Sequence, residues 1–331
     1  FSDIHFYQNA NKSRILDNGR YSWFQQQLDI VEHDIFGYAR ENHIDTVFFG
    51  GDLFEDKNRI SQNIYNDVWD LFERLSKEFR IILNIGNHDI YNIKNESSLK
   101  PFSSIVEVVS YPRDFEIDNS LIRVIPFGLV DGNSLRLPSK KYDKLMLLTH
   151  EDISGLRWSS YNKAFLNSTP LKREIFGDWD IVFNGHIHYP QDLKNIVNIG
   201  SCMRHDFGEA DDKKRFIHYK DGNIKSVEIM CPNFYTFDGL NDKIKRVMLA
   251  DDVNFYRINA DSSVLGDEVF QKFNVFVGIV RNEEREIRLQ EAEDDDDIIR
   301  KYIDLSETSL NEDKLFNVGK ELKTEVRQLD E

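Results

Sequence analysis

Apolar positions along the chain follow two spacings in turn. Over Trp23 to Glu41 they fall at Leu28, Val31, Ile35, Phe36 and Ala39, which is the interval of one helix face. The run Thr46 to Phe49 reads as a strand ending in Gly50-Gly51-Asp52. The order then repeats, with a helix over about Ser61 to Phe79 and a strand over Arg80 to Ile85 that ends in Gly86-Asn87-His88-Asp89. Leu121 to Pro126, Lys144 to Leu148 and Ile181 to Phe183 read as further strands, the last two leading into histidine. With the short β-like segments Ile196 to Ile199, Arg215 to Tyr219 and Lys225 to Ile229, this alternation predicts an α/β sandwich.

Around Pro232 to Asp242 the chain is expected to leave this first domain, because Val253 to Asn259 and Val275 to Arg281 have the pattern of strands in a smaller unit. A charged segment follows, ending in Asp294-Asp295-Asp296-Asp297, and such a run reads as a solvated linker. Two amphipathic helices are expected to close the chain, Asp297 to Leu305 and Asp313 to Leu329. The second carries Leu315, Val318, Leu322, Val326 and Leu329 on one stripe.

Composition narrows the class. The 331 residues are 40% hydrophobic, enough for a real core, and no run of 18 apolar residues is present. The N-terminus lacks the basic and apolar regions of a signal peptide, so a soluble cytoplasmic protein without a membrane span is expected. Phe1 opens at the edge of a strand without an initiator Met, and a few residues are expected ahead of it. Cys202 and Cys231 are too few for a disulfide framework or a thiolate zinc site, and Cys202 reads as a packing residue. The net charge of -16 opposes a uniformly basic nucleic-acid surface, but residues 282–331 hold 17 acidic and 8 basic residues and so carry much of it.

The chemistry lies at the strand ends. Asp3 and His5, then Asp52, then Asn87 and His88, then His150, then His186 and His188 each follow an apolar stretch. Ends of parallel strands converge on one edge of a sheet. A lone GD or GH pair is only a turn followed by a polar residue, but five such elements in order describe one cluster. Nitrogen and oxygen donors without thiolates suit hard or borderline divalent cations such as manganese, iron or zinc, with Asp52 able to bridge two of them. Such a pair can clamp a phosphate ester for in-line attack.

Asp3-Ile4-His5, Gly51-Asp52, Gly86-Asn87-His88-Asp89, His150 and Gly185-His186-Ile187-His188 resemble the DxH, GD, GNH(D/E), H and GHxH signature of the calcineurin-like metallophosphoesterases, over about residues 1 to 230. The resemblance implies a four-layer α/β/β/α core. It implies one metal held by Asp3, His5 and His188, another by Asn87, His150 and His186, and Asp52 between them. Manganese is the first choice, with magnesium, iron or zinc as alternatives. His88 would be the non-ligand acid that protonates the leaving oxygen.

Within that superfamily the serine/threonine phosphatases are disfavoured, since Gly51-Asp52-Leu53-Phe54-Glu55-Asp56-Lys57 departs from GDxVDRG. Purple acid phosphatases are disfavoured too, lacking here the tyrosine after GD. The GDLF wording, the GNHD motif, the stretch Ile199 to Glu209 and the small domain with terminal helices look like the SbcD-type recombination nucleases, cellular or bacteriophage. That implies a nuclease domain over 1–235, a capping α/β domain over 236–285, and an acidic linker with a helical partner-binding segment over 286–331. It also implies DNA as substrate, an SbcC-type SMC-like ATPase as partner, and a homodimer through the Ser61 to Phe79 helix, where Tyr65, Trp69 and Phe72 widen the apolar stripe. Several such nucleases have histidine after GDLF where this chain has Glu55, whose carboxylate is expected to reach His88 or the substrate. Arg204 and His205 are further candidates for substrate contact. His33, His43 and His218 read as structural or surface residues. The alternatives are a cyclic-nucleotide or other small phosphodiester hydrolase of the same superfamily, and a metal-degenerate scaffold that binds proteins.

Overall fold

Burial of Trp23, Phe24, Leu28, Val31, Ile35, Phe36 and Ala39 follows the helical spacing of the first amphipathic stretch. The structure, a computed structural model, describes residues 1–92, 96–158, 170–260, 262–279, 299–300, 303, 314–318 and 320. Helix α1 (Ser22–Asp29) passes through a π-helical turn, Ile30–Ile35, into α2 (Phe36–Glu41). Strand β1 (Thr46–Phe49), helix α3 (Gln62–Leu75) and strands β2 (Arg80–Asn84) and β3 (Glu107–Val109) follow, and the three strands form one parallel sheet in the order β1-β2-β3.

A second sheet is built from β4 (Arg113–Ile117), β5 (Ser120–Val124), β6 (Lys144–Thr149), β7 (Ile181–Asn184), β8 (Gln191–Leu193) and β9 (Ile196–Asn198), in the order β4-β5-β6-β7-β9-β8. Its centre, β5-β6-β7-β9, is parallel, and both edges are closed by antiparallel strands. Ile82 and Val109 of the first sheet pack with Phe115, Val124 and Leu148 of the second, so the two sheets lie face to face. The helices cover the outer face of the first sheet through the largest apolar cluster. Among the described residues, loops and a 3-10 turn, Arg173–Phe176, cover the second. This is the expected mixed α/β sandwich. Strand β10 (Arg215–Lys220) and β11 (Asn223–Glu228) form the expected late hairpin.

The segment Pro232 to Asp242, where the chain was expected to leave the first domain, opens a further sheet. It contains β12 (Phe234–Asp238), followed by α4 (Asp242–Ala250), β13 (Phe255–Ala260) and β14 (Val275–Ile279), which make a sheet in the order β12-β13-β14. The strand was hidden because Phe234 and Tyr235 are apolar neighbours that blur the alternation, although Tyr235 and Phe237 share one face and stack on Tyr256. Helix α4 starts where the Asn241 side chain accepts the Lys243 and Ile244 N–H groups.

Phe1–Gly278 form one compact unit and Ile279–Glu331 a second. In the second, residues 314–318 are helical. Most of the closing helices expected over Asp297 to Leu305 and Asp313 to Leu329 lies outside the described residues, as does the acidic run at 294–297. In α3, Phe72 is fully buried and Tyr65 stacks on Phe54, so both belong to the core that Trp69 partly joins. No described helix is long and apolar enough to cross a membrane.

Candidate metal centre

Parallel pairing brings the C-terminal ends of β1, β2, β6 and β7 to one edge. Residues Phe1 to Phe6 run alongside the loop after β1, with Asp3 N–H donating to the Gly51 carbonyl at 3.0 Å and Phe6 N–H to the Leu53 carbonyl at 2.8 Å. Asp3 and His5 are thereby brought to Asp52 and to the loops after β2, β6 and β7. All seven candidate ligands and His88 meet there.

Among the described residues three groups of possible cation ligands meet there, Asp3 with His5 and His188, Asp52 with His150 and His186, and His5 with Glu55 and His88. In the first, His5 Nε2 and His188 Nε2 face each other at 3.1 Å. The opposite nitrogen of each ring meets a carboxylate, His5 Nδ1 at 2.9 Å from Glu55 Oε2 and His188 Nδ1 at 2.8 Å from Glu209 Oε1. Only the second contact is a hydrogen bond, which fixes the His188 proton on Nδ1 and leaves a lone pair on Nε2, whereas His5 Nδ1 has no hydrogen-bond partner. That lone pair is turned to His5 Nε2 beside the Asp3 carboxylate, a nitrogen and oxygen donor set that fits a divalent ion.

In the second cluster His150 Nδ1–H donates to the Gly50 carbonyl at 3.0 Å, which turns Nε2 towards Asn87 Oδ1 at 3.1 Å and Asp52 Oδ2 at 3.2 Å. His186 Nδ1 lies 2.8 Å from the same Asn87 oxygen. Asp52 Oδ2 is also 3.6 Å from His5 Nε2. One carboxylate oxygen therefore stands between the two sets.

Electrostatics agrees with a cation-seeking site. Burial opposes a charge on His150, yet Asp52 and Asp3 push its pKa up to about 10. Burial likewise opposes ionisation of Asp52, but the neighbouring imidazoles bring its carboxyl well below the usual range. Burial and the charge of His150 lower His186 to about 4. The field that holds a proton on His150 is the field that a divalent ion would neutralise.

Backbone strain marks the same residues. Asp3, His5, Asp52 and His186 have φ of 54°, 50°, 62° and 74°, in the left-handed region that non-glycine residues seldom occupy. Buried side chains hold these turns. Gln27 donates to the carbonyls of Ile4 and His5, and Asp89 accepts from the N–H groups of Asp52, Leu53 and Gly86. Asn184 ties Glu151 to Asn198, which in turn holds the carbonyls of Ile187 and Tyr189. Gly51, at φ 118°, has no room for a side chain, since a Cβ there would stand 2.5 Å from His150 Nδ1.

His88 is fixed through its main-chain N–H, which donates to Asp52 Oδ1 at 2.8 Å, and through Nδ1, 2.6 Å from the Glu55 carbonyl. Glu55 thus meets His88 with its backbone, while its carboxylate lies 2.9 Å from His5 Nδ1 and has an oxygen within 4.8 Å of a His88 ring nitrogen. The His205 ring centroid is 5.0 Å from that of His188 and 5.3 Å from that of His5, so His205 borders the cluster. Arg204 does not join it, because its guanidinium is directed at Cys231 and the Pro232 carbonyl. His33 and His43 are exposed, and His218 pairs with the Tyr38 hydroxyl.

Sequence reasoning missed Glu209 and Lys214 as supports of the site. Lys214 is completely buried, with Nζ 2.9 Å from Glu209 Oε2, 3.0 Å from Asp212 Oδ2 and 3.1 Å from the His188 carbonyl. Burial opposes the charge on Glu209, but Lys214 and His188 hold its carboxyl well below the ordinary range. The clue was a run of acids followed by two lysines over Glu209 to Lys214, which looks like any solvated turn.

The profile of the family described as calcineurin-like phosphoesterase matches residues 1–190. A protein named as a phosphoesterase, 078R, of Invertebrate iridescent virus 3 is 26% identical over 183 residues, covering 51% of this chain and 50% of that protein. Another so named, 244L of Invertebrate iridescent virus 6, is 26% identical over 189 residues, covering 51% of this chain and 62% of that one. The chain thus spans about half the length of the first relative. Among solved structures, the nuclease MPE of Pseudomonas putida aligns with 69% of this chain and 71% of its own at 14% identity and a TM-score of 0.30, a weak likeness.

Proposed function

As the chain belongs to the calcineurin-like phosphoesterase family, we propose that it is a two-metal phosphodiesterase acting on DNA, the nuclease subunit of an SbcCD-like recombination or repair complex. The observation that carries the two-metal reading is Asp52 Oδ2, placed 3.2 Å from His150 Nε2 and 3.6 Å from His5 Nε2. Asp3, His5 and His188 would hold one divalent ion, and Asn87, His150 and His186 the other. Manganese is the first choice. Bound there, the ions supply Lewis acidity to a phosphoryl oxygen and lower the pKa of a water.

The chain's own groups do the remaining work. His88, with its Nδ1 proton on the Glu55 carbonyl, presents Nε2 as the site from which a proton passes to the leaving oxygen. His205 borders the first cluster and would face a phosphate oxygen of the bound strand. The Asp89 carboxylate holds the GD and GNHD turns in mutual register, so that the bridging oxygen and the acid keep a fixed separation.

DNA as the substrate is supported by the GDLF and GNHD wording at Gly51 to Phe54 and Gly86 to Asp89, and by the Ile199 to Glu209 stretch. The same reading includes an SbcC-type ATPase bound by the segment 286–331, and a homodimer through the exposed side of α3. The test is a nuclease assay on linear DNA with manganese, with and without the ATPase, beside hydrolysis of bis(p-nitrophenyl) phosphate. Manganese-dependent DNA cleavage is expected. Turnover of the small ester with intact DNA in both arms would replace the nuclease by a small-phosphodiester hydrolase, and light scattering that reports a monomer would remove the dimer.

A further inference from the structure

Lys12 closes a 3-10 turn, Ala10–Lys12, soon after His5 in the chain. Its Nζ donates to the His205 carbonyl at 2.8 Å and lies over two aromatic rings, 5.6 Å from the centroid of Trp23 and 5.4 Å from that of Phe234. Phe234 meets Phe207 edge-on with centroids 5.0 Å apart, and the Arg257 guanidinium of β13 sits 4.0 Å from the Phe207 centroid. A continuous row of contacts therefore leads from His5 and His188 through His205 to Lys12, and on through Phe234 and Phe207 to Arg257.

Neither cation forms an ion pair among the described residues, although the chain carries a net charge of -16. Glu209 is taken up by Lys214 and His188, and Asp206 accepts the Gly208 N–H. An aromatic face holds a cation in place without cancelling its charge. Burial opposes the charge on Lys12, Asp206 and Glu209 favour it without an ion pair, and Arg257 opposes it. An ammonium group has three donors, of which the His205 carbonyl uses one. Two cations that oppose each other across a pair of rings are relieved by an anion that touches both. A single phosphate at the metal clusters lies on the far side of His205 from them, whereas a chain of phosphates extends along the row.

We propose that Lys12 and Arg257 bind the phosphate backbone of DNA where the strand passes from the metal centre over His205. The inference rests on the reading of DNA as the substrate and deepens it by naming the groups that hold the strand outside the centre. Contacts of this kind position the strand without reading its sequence.

The test titrates a fluorescent blunt-ended DNA duplex with the His88→Asn protein, which is expected to keep both ions and leave the duplex uncut, at constant manganese. Lys12→Gln, Arg257→Gln and the double variant are made on that parent. Each phosphate contact contributes about 0.9 to the slope of log affinity against log salt, so the parent's advantage over either single variant should shrink about 3.5-fold between 50 and 200 mM KCl, and over the double variant about 12-fold. The losses should be equal on duplexes of unrelated sequence. Lys12→Arg, which retains the charge, should keep the parent's slope. An unchanged slope in either single variant overturns the inference. So does a Lys12→Gln change, made in the wild type, that lowers bis(p-nitrophenyl) phosphate turnover as much as DNA affinity, since Lys12 would then support the centre through His205. A parent that binds no DNA at either salt concentration overturns the DNA reading itself and the inference with it, which separates the two failures.

Discussion

Replacing Lys214 by Met keeps the length and volume of the side chain and removes its charge. In the folded protein the ammonium group has no solvent exposure and touches Glu209, Asp212 and the His188 carbonyl at 2.9 to 3.1 Å. The cavity contribution to the change is therefore small, and the loss comes from leaving Glu209 in a buried site without its cation. Breaking a buried pair in this way typically costs about 3–5 kcal/mol. For a unit of this size that corresponds to a fall in Tm of roughly 10 °C. Thermal and urea unfolding of the metal-free protein at pH 8 measure it. A double variant, Lys214→Met with Glu209→Gln, removes one of the two carboxylate charges left without a cation, Asp212 being the other, and should recover more than about 1 kcal/mol of the loss. If Lys214→Met unfolds within 2 °C of the wild type, or if the double variant is merely the sum of the singles, the pair does not bear on stability as the geometry requires.

The remaining predictions concern the centre itself. Asp52→Asn should weaken manganese at both sites and abolish hydrolysis, since a neutral amide bridges two cations poorly; calorimetry showing one untouched site would refute the bridge. His88→Asn should keep both ions and lose about 10²- to 10⁴-fold in turnover, and loss of metal would instead make His88 a ligand. Burial pushes the Glu151 carboxyl up to about 7 from 4.5, so its contribution to metal-free stability is full below pH 4.5 and declines as the pH rises through 7. Glu151→Gln should therefore gain about 1–3 kcal/mol relative to the wild type in urea melts at pH 8 and little at pH 4; equal effects at both pH values would refute this.

The centre was legible wherever its residues follow a strand. Asp52, His88, His150 and His186 sit at strand ends because parallel pairing leaves the polar groups there outside the sheet, and short motifs report that placement directly. The supports were not legible. Gln27 reaches the Ile4 carbonyl from a helix, and Glu209 reaches His188 from 21 residues away, so neither contact has a local signature. The broad stripe of α3 invited a partner face, but Phe72 and Tyr65 are taken up by Phe102 and Phe54 of the same core. Glu55 shows the limit most clearly. Its place three residues after Asp52 put it near the centre, yet whether its side chain or its carbonyl met His88 depended on backbone direction, which sequence spacing does not encode.

The strained turns and the buried amides belong to one arrangement. Four left-handed non-glycine residues cost about 1–3 kcal/mol each, a large sum against the stability of an ordinary domain. That strain does not relax because the neighbouring backbone groups are taken up by buried partners. Gln27 fastens the carbonyls of Ile4 and His5, and Asp89 fastens the N–H groups of Asp52 and Leu53. Releasing a turn would leave those buried groups unpaired, at a cost comparable to the strain relieved. The donors are thus held at short mutual distances by the fold, and their repulsion is not free to push them apart. A site built this way seats cations into an existing geometry, so the supports govern metal affinity as directly as the ligands do.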